Sequence, residues 1–305
     1  MINLRPFTLA SLLAGLALTT LNAQQTSAPA AEPSQAEMEA RQKAILDKIE
    51  SFGWTREGIG KLGSRAQVAI PKGYRFTDGN GTREMMKLTD NFPTQKELGM
   101  LTTEGLGHWI IFEFDESGYV KDDEKDKLDA DELLKVRKEG QEAANAKRRE
   151  AGMEELHVLG WAVPPRFNDQ TKNLEWALRI GSTSGESINY ETRLLGRYGV
   201  TEVTLVCSPE EMNGLLGDYQ AIMSSFEYVD GERYAQFDSS KDKIAKYGLT
   251  GLVAGTGAFA AAKMGLFAKL GGLLAKMGKF VIVLVVGVLA GLKALFSKLF
   301  GRRTA

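Results

Sequence analysis

The chain has 305 residues, of which 43% are hydrophobic and 25% are charged, so it is long enough for one large folded domain or two small ones. Its net charge of −1 hides a segregation: residues 249–305 carry eight Lys or Arg and no Asp or Glu, whereas residues 24–248 carry 29 basic and 39 acidic residues, a net charge of −10. An acidic body repels nucleic acid, which argues against a nucleic-acid partner. The single cysteine, Cys207, lies in an apolar run, which predicts a buried thiol without an internal disulfide.

The N-terminus has the parts of a secretory signal peptide in the usual order. Arg5 precedes an apolar stretch, and a cleavage-site pattern ends at Ala23, so we predict a signal peptide over residues 1–23. An uncleaved anchor is the alternative, because Leu21 is larger than the residue usually found three positions before the cut. Residues 24–35 are mainly Ala, Pro, Ser, Thr and Gln, and this composition predicts a disordered linker.

Residues 36–246 have the pattern of an α+β domain without internal repeats. In the segment 174–180, apolar residues alternate with Glu175 and Arg179, which predicts a strand with one buried face. The predicted elements are, in chain order, a helix over 35–52, a strand over 67–70, a turn at 79–81, a strand over 108–114, a helix over 129–149, strands over 156–163, 174–180, 188–195 and 202–206, and a helix from Ser208 to Phe226. The expected fold class is α+β, an antiparallel sheet meander with packed helices, followed by a C-terminal membrane helix or helices.

The C-terminal region contains the best candidate for a membrane span. At 1.5 Å per residue, residues 280–300 form a helix of about 30 Å, which is long enough to cross a bilayer. Residues 247–279 are rich in Gly and Ala and include a lysine-faced amphipathic stretch, which predicts a helix lying at the membrane interface. We therefore expect the lipid bilayer to contact residues 247–300 and a basic tail to follow over 301–305. A two-span hairpin is the alternative, because lysines flank the second stretch on both sides.

Patterns for catalysis, metal binding or cofactor binding are weak. The acidic run 121–132 resembles a calcium loop only in part, because Lys127 and Leu133 stand where glycine and a carboxylate are needed. His108 and His157 are far apart in sequence and have no neighbouring cysteine, which argues against zinc. A nucleophile elbow and a phosphate-binding glycine loop are also lacking. We therefore predict no catalytic residue, no metal ligand and no cofactor, with a cation site on the acidic run as the alternative.

A polar strand face provides the candidate binding site. Alternation along the predicted strand 188–195 places Asn189, Glu191 and Arg193 on one face, and an arginine there could bind an anionic group through two hydrogen bonds. Pairing with Glu175 and Arg179 of the preceding strand is the alternative. The residues of the candidate ligand or partner surface are Trp161, Asn189, Arg193 and Arg197.

Several short motifs carry a family resemblance. In sequence order they are Gly118–Glu124, Asn145 with Arg148–Arg149, Gly160–Ala162, Asn189–Tyr190, Leu195–Gly199 and Asp242–Leu249. Together they resemble the bacterial family of uncharacterised membrane-anchored proteins known as domain of unknown function 2167. The resemblance implies a bacterial envelope protein and supplies no catalytic residue. In fold, the strands followed by Ser208-Pro-Glu-Glu and ending at Ser225-Phe226 are similar to the PsbP-like α/β/α sandwich.

These features together predict a protein of the bacterial inner membrane with its main domain in the periplasm. The function we expect is that of an interaction or scaffolding module with an envelope protein partner. A periplasmic enzyme acting on an envelope polymer or lipid is the alternative. A third hypothesis is that the cationic C-terminal helices form a pore or remodel the bilayer.

Overall fold

The structure, a computed structural model, describes residues 34–169 and 171–255. These residues belong to the first of two compact units, which ends at Gly255. The predicted signal peptide, nearly all of the predicted linker, the predicted transmembrane helix over 280–300 and the basic tail lie outside the described residues.

The described residues form helices and strands in mixed order. The helices are α1 (Gln35–Glu50), α2 (Gly79–Leu88), α3 (Ala130–Glu150), α4 (Met212–Ser225) and α5 (Leu249–Ala254). The strands are β1 (Ile59–Leu62), β2 (Ala66–Ala69), β3 (Tyr74–Asp78), β4 (Glu97–Thr103), β5 (Trp109–Asp115), β6 (His157–Asn168), β7 (Asn173–Ser182), β8 (Gly185–Leu195), β9 (Val200–Cys207) and β10 (Glu227–Tyr228). Short 3₁₀ turns lie at Lys125–Lys127 and Tyr234–Gln236.

A seven-stranded antiparallel sheet in the order β3-β4-β5-β9-β8-β7-β6 forms the centre of the domain. It consists of two meanders, β3 to β5 and β6 to β9, which meet where β5 pairs with β9. A smaller antiparallel sheet has the order β1-β2-β10. The predicted α+β class with antiparallel strands is therefore confirmed.

Helices cover both faces of the large sheet. On the face that we call the α4 face, the strands bury Ile110, Phe112 and Leu205 beneath α4 and the small sheet. On the opposite face, called the α3 face, α1 and α2 pack over Trp109 and Ile111, while α3 packs over β6 and its neighbours. Fully burying each such apolar side chain contributes about 1.5–3 kcal/mol.

Helix α2 replaces the turn predicted at 79–81. The carboxylate of Asp78 accepts hydrogen bonds from the backbone amides of Asn80 (2.8 Å) and Gly81 (3.0 Å) and so caps the helix. A Cβ atom on Gly79 would lie 2.2 Å from the carbonyl oxygen of Glu97. Glycine is needed here for the close approach of the helix to β4, which is why a glycine-rich segment begins a helix.

Residues 247–255 belong to the folded domain, which moves its predicted boundary from 246 to 255. The side chains of α5 are buried, and the helix packs against α3. The hydroxyl of Tyr247 donates to Asp115 (3.1 Å), and the Glu124 carboxylate accepts from the amide of Thr250 (2.9 Å) at the start of α5. The described part of the segment expected to contact the bilayer therefore packs on protein, because its apolar side chains complete the domain core.

Among the helices within residues 34–169 and 171–255, none is both long enough and apolar enough to cross a bilayer.

Candidate functional site

The centre of the α3 face contains a buried charge cluster, formed by Arg137 of α3, Glu191 and Arg193 of β8, and Glu202 of β9. Nη1 of Arg193 donates to Glu191 (2.8 Å), and its Nη2 lies 3.5 Å from Glu202. Nη2 of Arg137 lies 3.6 Å from Glu191. The ring of Trp176 lies beneath both guanidinium groups, 4.7 Å from Arg193 and 5.7 Å from Arg137.

Mutual attraction keeps Glu191 and Arg193 charged, whereas burial outweighs the attraction at Arg137 and lowers its pKa. Burial alone would lower the pKa of Arg193, but Glu202 and Glu191 outweigh burial and raise it. Likewise, burial alone would raise the pKa of Glu191, but Arg193 and Arg137 outweigh it and lower that pKa. Only 6% of the Arg193 side chain is exposed. The cluster therefore pairs Glu191 with two guanidinium groups and leaves Arg193 closed to solvent, while Nε and Nη2 of Arg137 and Nε of Arg193 are buried without a hydrogen-bond partner among the described residues.

The four residues of the predicted ligand surface do not form one surface. Asn189 and Arg193 lie together on the buried α3 face of β8. The indole nitrogen of Trp161 donates to the carbonyl of Ala130 (2.9 Å) at the start of α3. Arg197, between β8 and β9, forms two hydrogen bonds with Asp242, at 2.6 and 3.1 Å.

Arg193 does form a cross-strand pair, with Glu202 of β9, but not with the partners that the alternative named. Glu175 lies opposite Thr192 and Arg179 opposite Ile188, so both point to the α4 face. Arg193 instead pairs within its own strand and with β9 on the other side. The predicted alternation within each strand is correct. The register of β7 with β8, however, places Glu175 and Arg179 on one face of the sheet and Arg193 on the other.

A second buried acidic group lies on the same face, next to the charge cluster. The Thr94 hydroxyl is 2.6 Å from Glu113 and 3.1 Å from Glu97, and it accepts from the amide of Lys96 (3.2 Å). The hydroxyl has one proton for two carboxyl groups, and a proton on one of these carboxyl groups would complete a second full hydrogen bond. Burial, with the charges of Glu202 and Glu97, raises the pKa of Glu113 to about 7, so Glu113 holds that proton in mildly acidic solution.

The thiol of Cys207 and the imidazoles of His108 and His157 have structural surroundings rather than the features of a catalytic site. Cys207 is buried, as predicted, and burial raises the pKa of its thiol to about 12. His108 is buried, its Nε2 lies 2.7 Å from the Tyr74 hydroxyl, and burial lowers its pKa. His157 pairs through Nδ1 with Glu142 (2.8 Å) at the surface. Within residues 34–169 and 171–255, no three His, Cys, Asp or Glu side chains cluster in a way that could hold a metal ion.

An open cleft lies on the α4 face, where α4 ends and the β6–β7 hairpin extends beyond it. We call it the hairpin cleft; its volume is about 1080 Å³. Tyr190, Leu194 and Tyr219 line it as buried residues and Phe226 as a half-buried one. Phe167 lies at its edge, but this residue lies opposite Leu174, so its ring is on the α3 face. Most of its other lining residues are polar or charged, so the aromatic side chains lie within a polar cleft.

Three side chains form a polar triad in the hairpin cleft. Nη2 of Arg166 donates to the Tyr190 hydroxyl (3.1 Å) and to Oε2 of Glu175 (3.1 Å). The Tyr190 hydroxyl donates to the same Oε2 (3.0 Å). Burial, reinforced by Glu175, raises the pKa of Tyr190, so the phenol stays protonated at neutral pH. The triad therefore orients a carboxylate and a guanidinium toward the cleft.

Sequence reasoning missed the hairpin cleft, although one signal pointed to it. Tyr190 was placed on the apolar face of a strand, and a buried tyrosine hydroxyl usually requires a hydrogen-bond partner. Glu175 of the adjacent strand β7 and Arg166 of β6, the strand beyond it, supply that partner.

Comparisons with known proteins identify the family. The family model described as "Protein of unknown function (DUF2167)" matches residues 55–289, so the chain belongs to this family. No curated protein matches the sequence. Among solved structures, cyanobacterial PsbP (CyanoP) from Synechocystis sp. PCC 6803 is 12% identical, with 56% of this chain and 94% of that chain covered and a TM-score of 0.36. A mutant of the protein Mog1 is 11% identical, with 58% and 98% covered and a TM-score of 0.30. Likenesses at these TM-scores carry no conclusion about fold or function.

Proposed function

We propose that this member of the DUF2167 family is a binding module of the bacterial envelope, tethered to the inner membrane and facing the periplasm. The observation that carries the proposal is the hairpin cleft, which combines aromatic walls with an oriented Arg166 and Glu175. Such a cleft can hold a partner without further rearrangement of the core.

Binding accounts for the described residues better than catalysis does. A general acid or base needs a pKa near the working pH and access to substrate. Glu113 meets the first condition, but it is buried on the α3 face. Arg166 and Glu175 have the access, and they bond each other and the hydroxyl of Tyr190, which its raised pKa keeps protonated and therefore a weak nucleophile. The hairpin cleft therefore favours an interaction module over an enzyme acting on an envelope polymer or lipid.

The location rests on sequence patterns at the two ends of the chain. The signal-peptide pattern over 1–23 supports export, and the apolar stretch 280–300 supports a tether. Reporter fusions after Gly278 and after Ala305 test this topology. We expect a periplasmic reporter at 278 and a cytoplasmic one at 305; a cytoplasmic reporter at 278 would contradict the proposal.

Crosslinking inside living cells tests the binding function. A photoreactive amino acid placed at Gln220, an exposed residue of α4 that lines the cleft, should form discrete crosslinked products. The same amino acid at Lys138, an exposed residue of α3, is the control. Products from Gln220 that do not exceed those from Lys138 under several growth conditions would overturn the proposal. Mass spectrometry and glycosidase digestion of the products then distinguish an envelope protein partner from a polymer.

A further inference from the structure

The loop between α2 and β4 is held, between its two ends, by a single residue. At its start, the amide of Asn91 donates to the carbonyl of Met86 (2.8 Å), and at its end, the carbonyl of Lys96 accepts from the amide of Phe114 (2.9 Å). Among residues 34–169 and 171–255, the hydrogen bonds that join residues 92–95 to the strands all come from Thr94. We call residues 92–95 the strap.

The strap has features of a segment that opens locally. Gln95 has a φ of +68°, in the left-handed region that residues other than glycine seldom adopt. Phe92 packs poorly, since 46% of it is exposed. Backbone strain, little apolar contact and few anchoring bonds are properties of segments that open without unfolding of the whole domain.

Beneath the strap lies a row of three carboxyl groups on the α3 face. Glu97 of β4 lies opposite Glu113 of β5, and Glu113 lies opposite Glu202 of β9. Glu97 and Glu113 are only 4% and 6% exposed, whereas Thr94, which contacts both, is exposed. Like charges directly opposite each other in neighbouring strands repel, so the row is unfavourable when all three groups are ionised.

The cations that face the row have other partners. The ion pairs are Arg193 with Glu191 and Glu202, Lys96 with Asp115, and Arg83 of α2 with Glu97. Among the described residues, none of these cations forms an ion pair with Glu113. Burial is the main cause that raises the pKa of Glu113 to about 7, and the charges of Glu202 and Glu97 add to it.

The hydroxyl of Thr94 links the strap to the protonation of the row. It lies 2.6 Å from Glu113 and 3.1 Å from Glu97. While Glu113 carries a proton, this hydroxyl can accept from Glu113 and donate to Glu97. When both groups are ionised, the single hydroxyl proton serves only one of them, and two negative charges repel across the hydroxyl. Movement of the strap would admit water to both carboxylates.

From these features we propose that the strap is a proton-dependent cover of the acidic row, closed while Glu113 carries a proton and open when Glu97 and Glu113 are both ionised. The closed strap keeps the pKa of Glu113 raised from 4.5 to about 7, so protons stabilise the closed form. This stabilisation is lost as the pH rises from about 4.5 to about 7. The inference goes beyond the proposed binding function and does not involve the hairpin cleft.

Hydrogen–deuterium exchange of the full chain in detergent tests the proposal. The amides to follow are those of Thr94, Gln95 and Lys96, at pH 5 and at pH 8. After correction for the intrinsic exchange rate at each pH, their protection factors should be about tenfold or more lower at pH 8 than at pH 5. Equal protection factors at the two pH values would overturn the proposal.

Matched variants assign the response to its groups. Glu113→Gln cannot ionise, so its strap should stay protected at both pH values. Thr94→Val removes the hydroxyl at nearly constant volume and should lower the protection at pH 5 toward the pH 8 value, whereas Thr94→Ser should keep the response of the wild type. Glu227→Gln, which changes an exposed carboxylate far from the strap in sequence, is the control and should also keep it. A pH response that persists in Glu113→Gln would contradict the proposal, even if Thr94→Val fails to fold.

Dilute urea distinguishes opening of the strap from unfolding of the domain. Opening of a few residues exposes little surface, so exchange of the strap amides should hardly change up to about 1 M urea. Exchange that requires global unfolding accelerates over the same range, as expected for the central strand β7. Strap amides that accelerate as much as those of β7 would show that the strap opens only with the whole domain, and the proposal would fail.

Discussion

The charged pairs on the two faces of the seven-stranded sheet differ in how far they are exposed to solvent. On the α3 face, Glu191 and Arg193 point inward beneath a helix, and 4% and 6% of their side chains are exposed. On the α4 face, the Arg166–Glu175 pair lies at the open end of the sheet, and 59% and 22% of these side chains are exposed. Loss of one partner from a fully buried charged pair strongly destabilises a protein. An exposed pair contributes little to stability, and its side chains are accessible to a ligand.

The difference depends on helix length and position rather than on residue type. Helix α3 has 21 residues and packs across β6 and its neighbours, whereas α4 has 14 residues and ends at Ser225. Beyond that end, Tyr190 and Glu175 line an open trough. The same strands thus present a closed polar core on one side and a binding cleft on the other.

The largest effect is expected from breaking the buried charge cluster. Replacing Glu191 with Ala leaves Arg193 and Arg137 without their closest counter-charge in a water-excluded site. We expect a loss of about 3–5 kcal/mol in the free energy of unfolding, measured by urea denaturation of the full chain. The matched variant on the other face, Glu175→Ala, removes a partner of Arg166 and of Tyr190 and should lose about 1–2 kcal/mol. Similar losses in the two variants would remove the distinction between the faces.

The second largest expected effect is a pH dependence of the free energy of unfolding, which arises from Glu113 on the α3 face. The pKa of Glu113 is raised from 4.5 to about 7 by burial, so the folded protein binds more protons than the unfolded chain between these values. Stability from this group therefore falls as pH rises from about 4.5 to 7, by about 3 kcal/mol in total. Glu113→Gln should remove that fall.

The measurement is the unfolding free energy of the wild type and of Glu113→Gln at pH 5 and pH 8. Between the two pH values, the wild type should lose about 2–3 kcal/mol more than the variant. Glu227→Gln, which changes an exposed carboxylate, is the control and should follow the wild type. Parallel pH dependences in the wild type and Glu113→Gln would show that Glu113 is ionised throughout.

Much of this fold could be predicted from local sequence patterns. Alternating apolar residues identified β6 to β9, and acids at the start and bases at the end identified α3. Helix α2 was missed because its first residues are glycines, whose role is a close approach to β4 that only the tertiary structure reveals. Helix α5 was assigned to the membrane region, because a short apolar stretch has the same composition in a protein core and at a bilayer.

The candidate site was harder to predict, since it depends on which strands pair and on which helix packs over each face of the sheet. Alternation placed Arg193 on a polar strand face, but no local pattern shows that α3 lies over that face. The charged partner of Arg193 is set by the register of β8 with β9, in which Arg193 lies opposite Glu202. The hairpin cleft exists because α4 ends before the hairpin does, and this is a property of the assembled layers.

A smaller effect is expected from loosening the polar triad. Tyr190→Phe removes a hydroxyl that donates to Glu175 and accepts from Arg166, so it should cost about 0.5–1.5 kcal/mol of stability and reduce crosslinking from Gln220. Tyr74→Phe is the matched control. Its hydroxyl lies 2.7 Å from Nε2 of His108, away from the cleft, so a similar stability loss should leave the crosslink unchanged. Loss of the crosslink in both variants would mean that the triad only supports folding.

The smallest stability effect is expected from Arg166→Gln, which nevertheless should strongly weaken binding. Exposed ion pairs contribute about 0–1 kcal/mol, so the unfolding free energy should hardly change. Arg179→Gln breaks a comparable exposed pair with Glu186 on the same sheet and provides the control for charge and exposure. If the α4 face is the binding face, only Arg166→Gln should lose the Gln220 crosslink. Equal crosslinking in both variants would mean that the open pair, like the covered one on the α3 face, serves the structure alone.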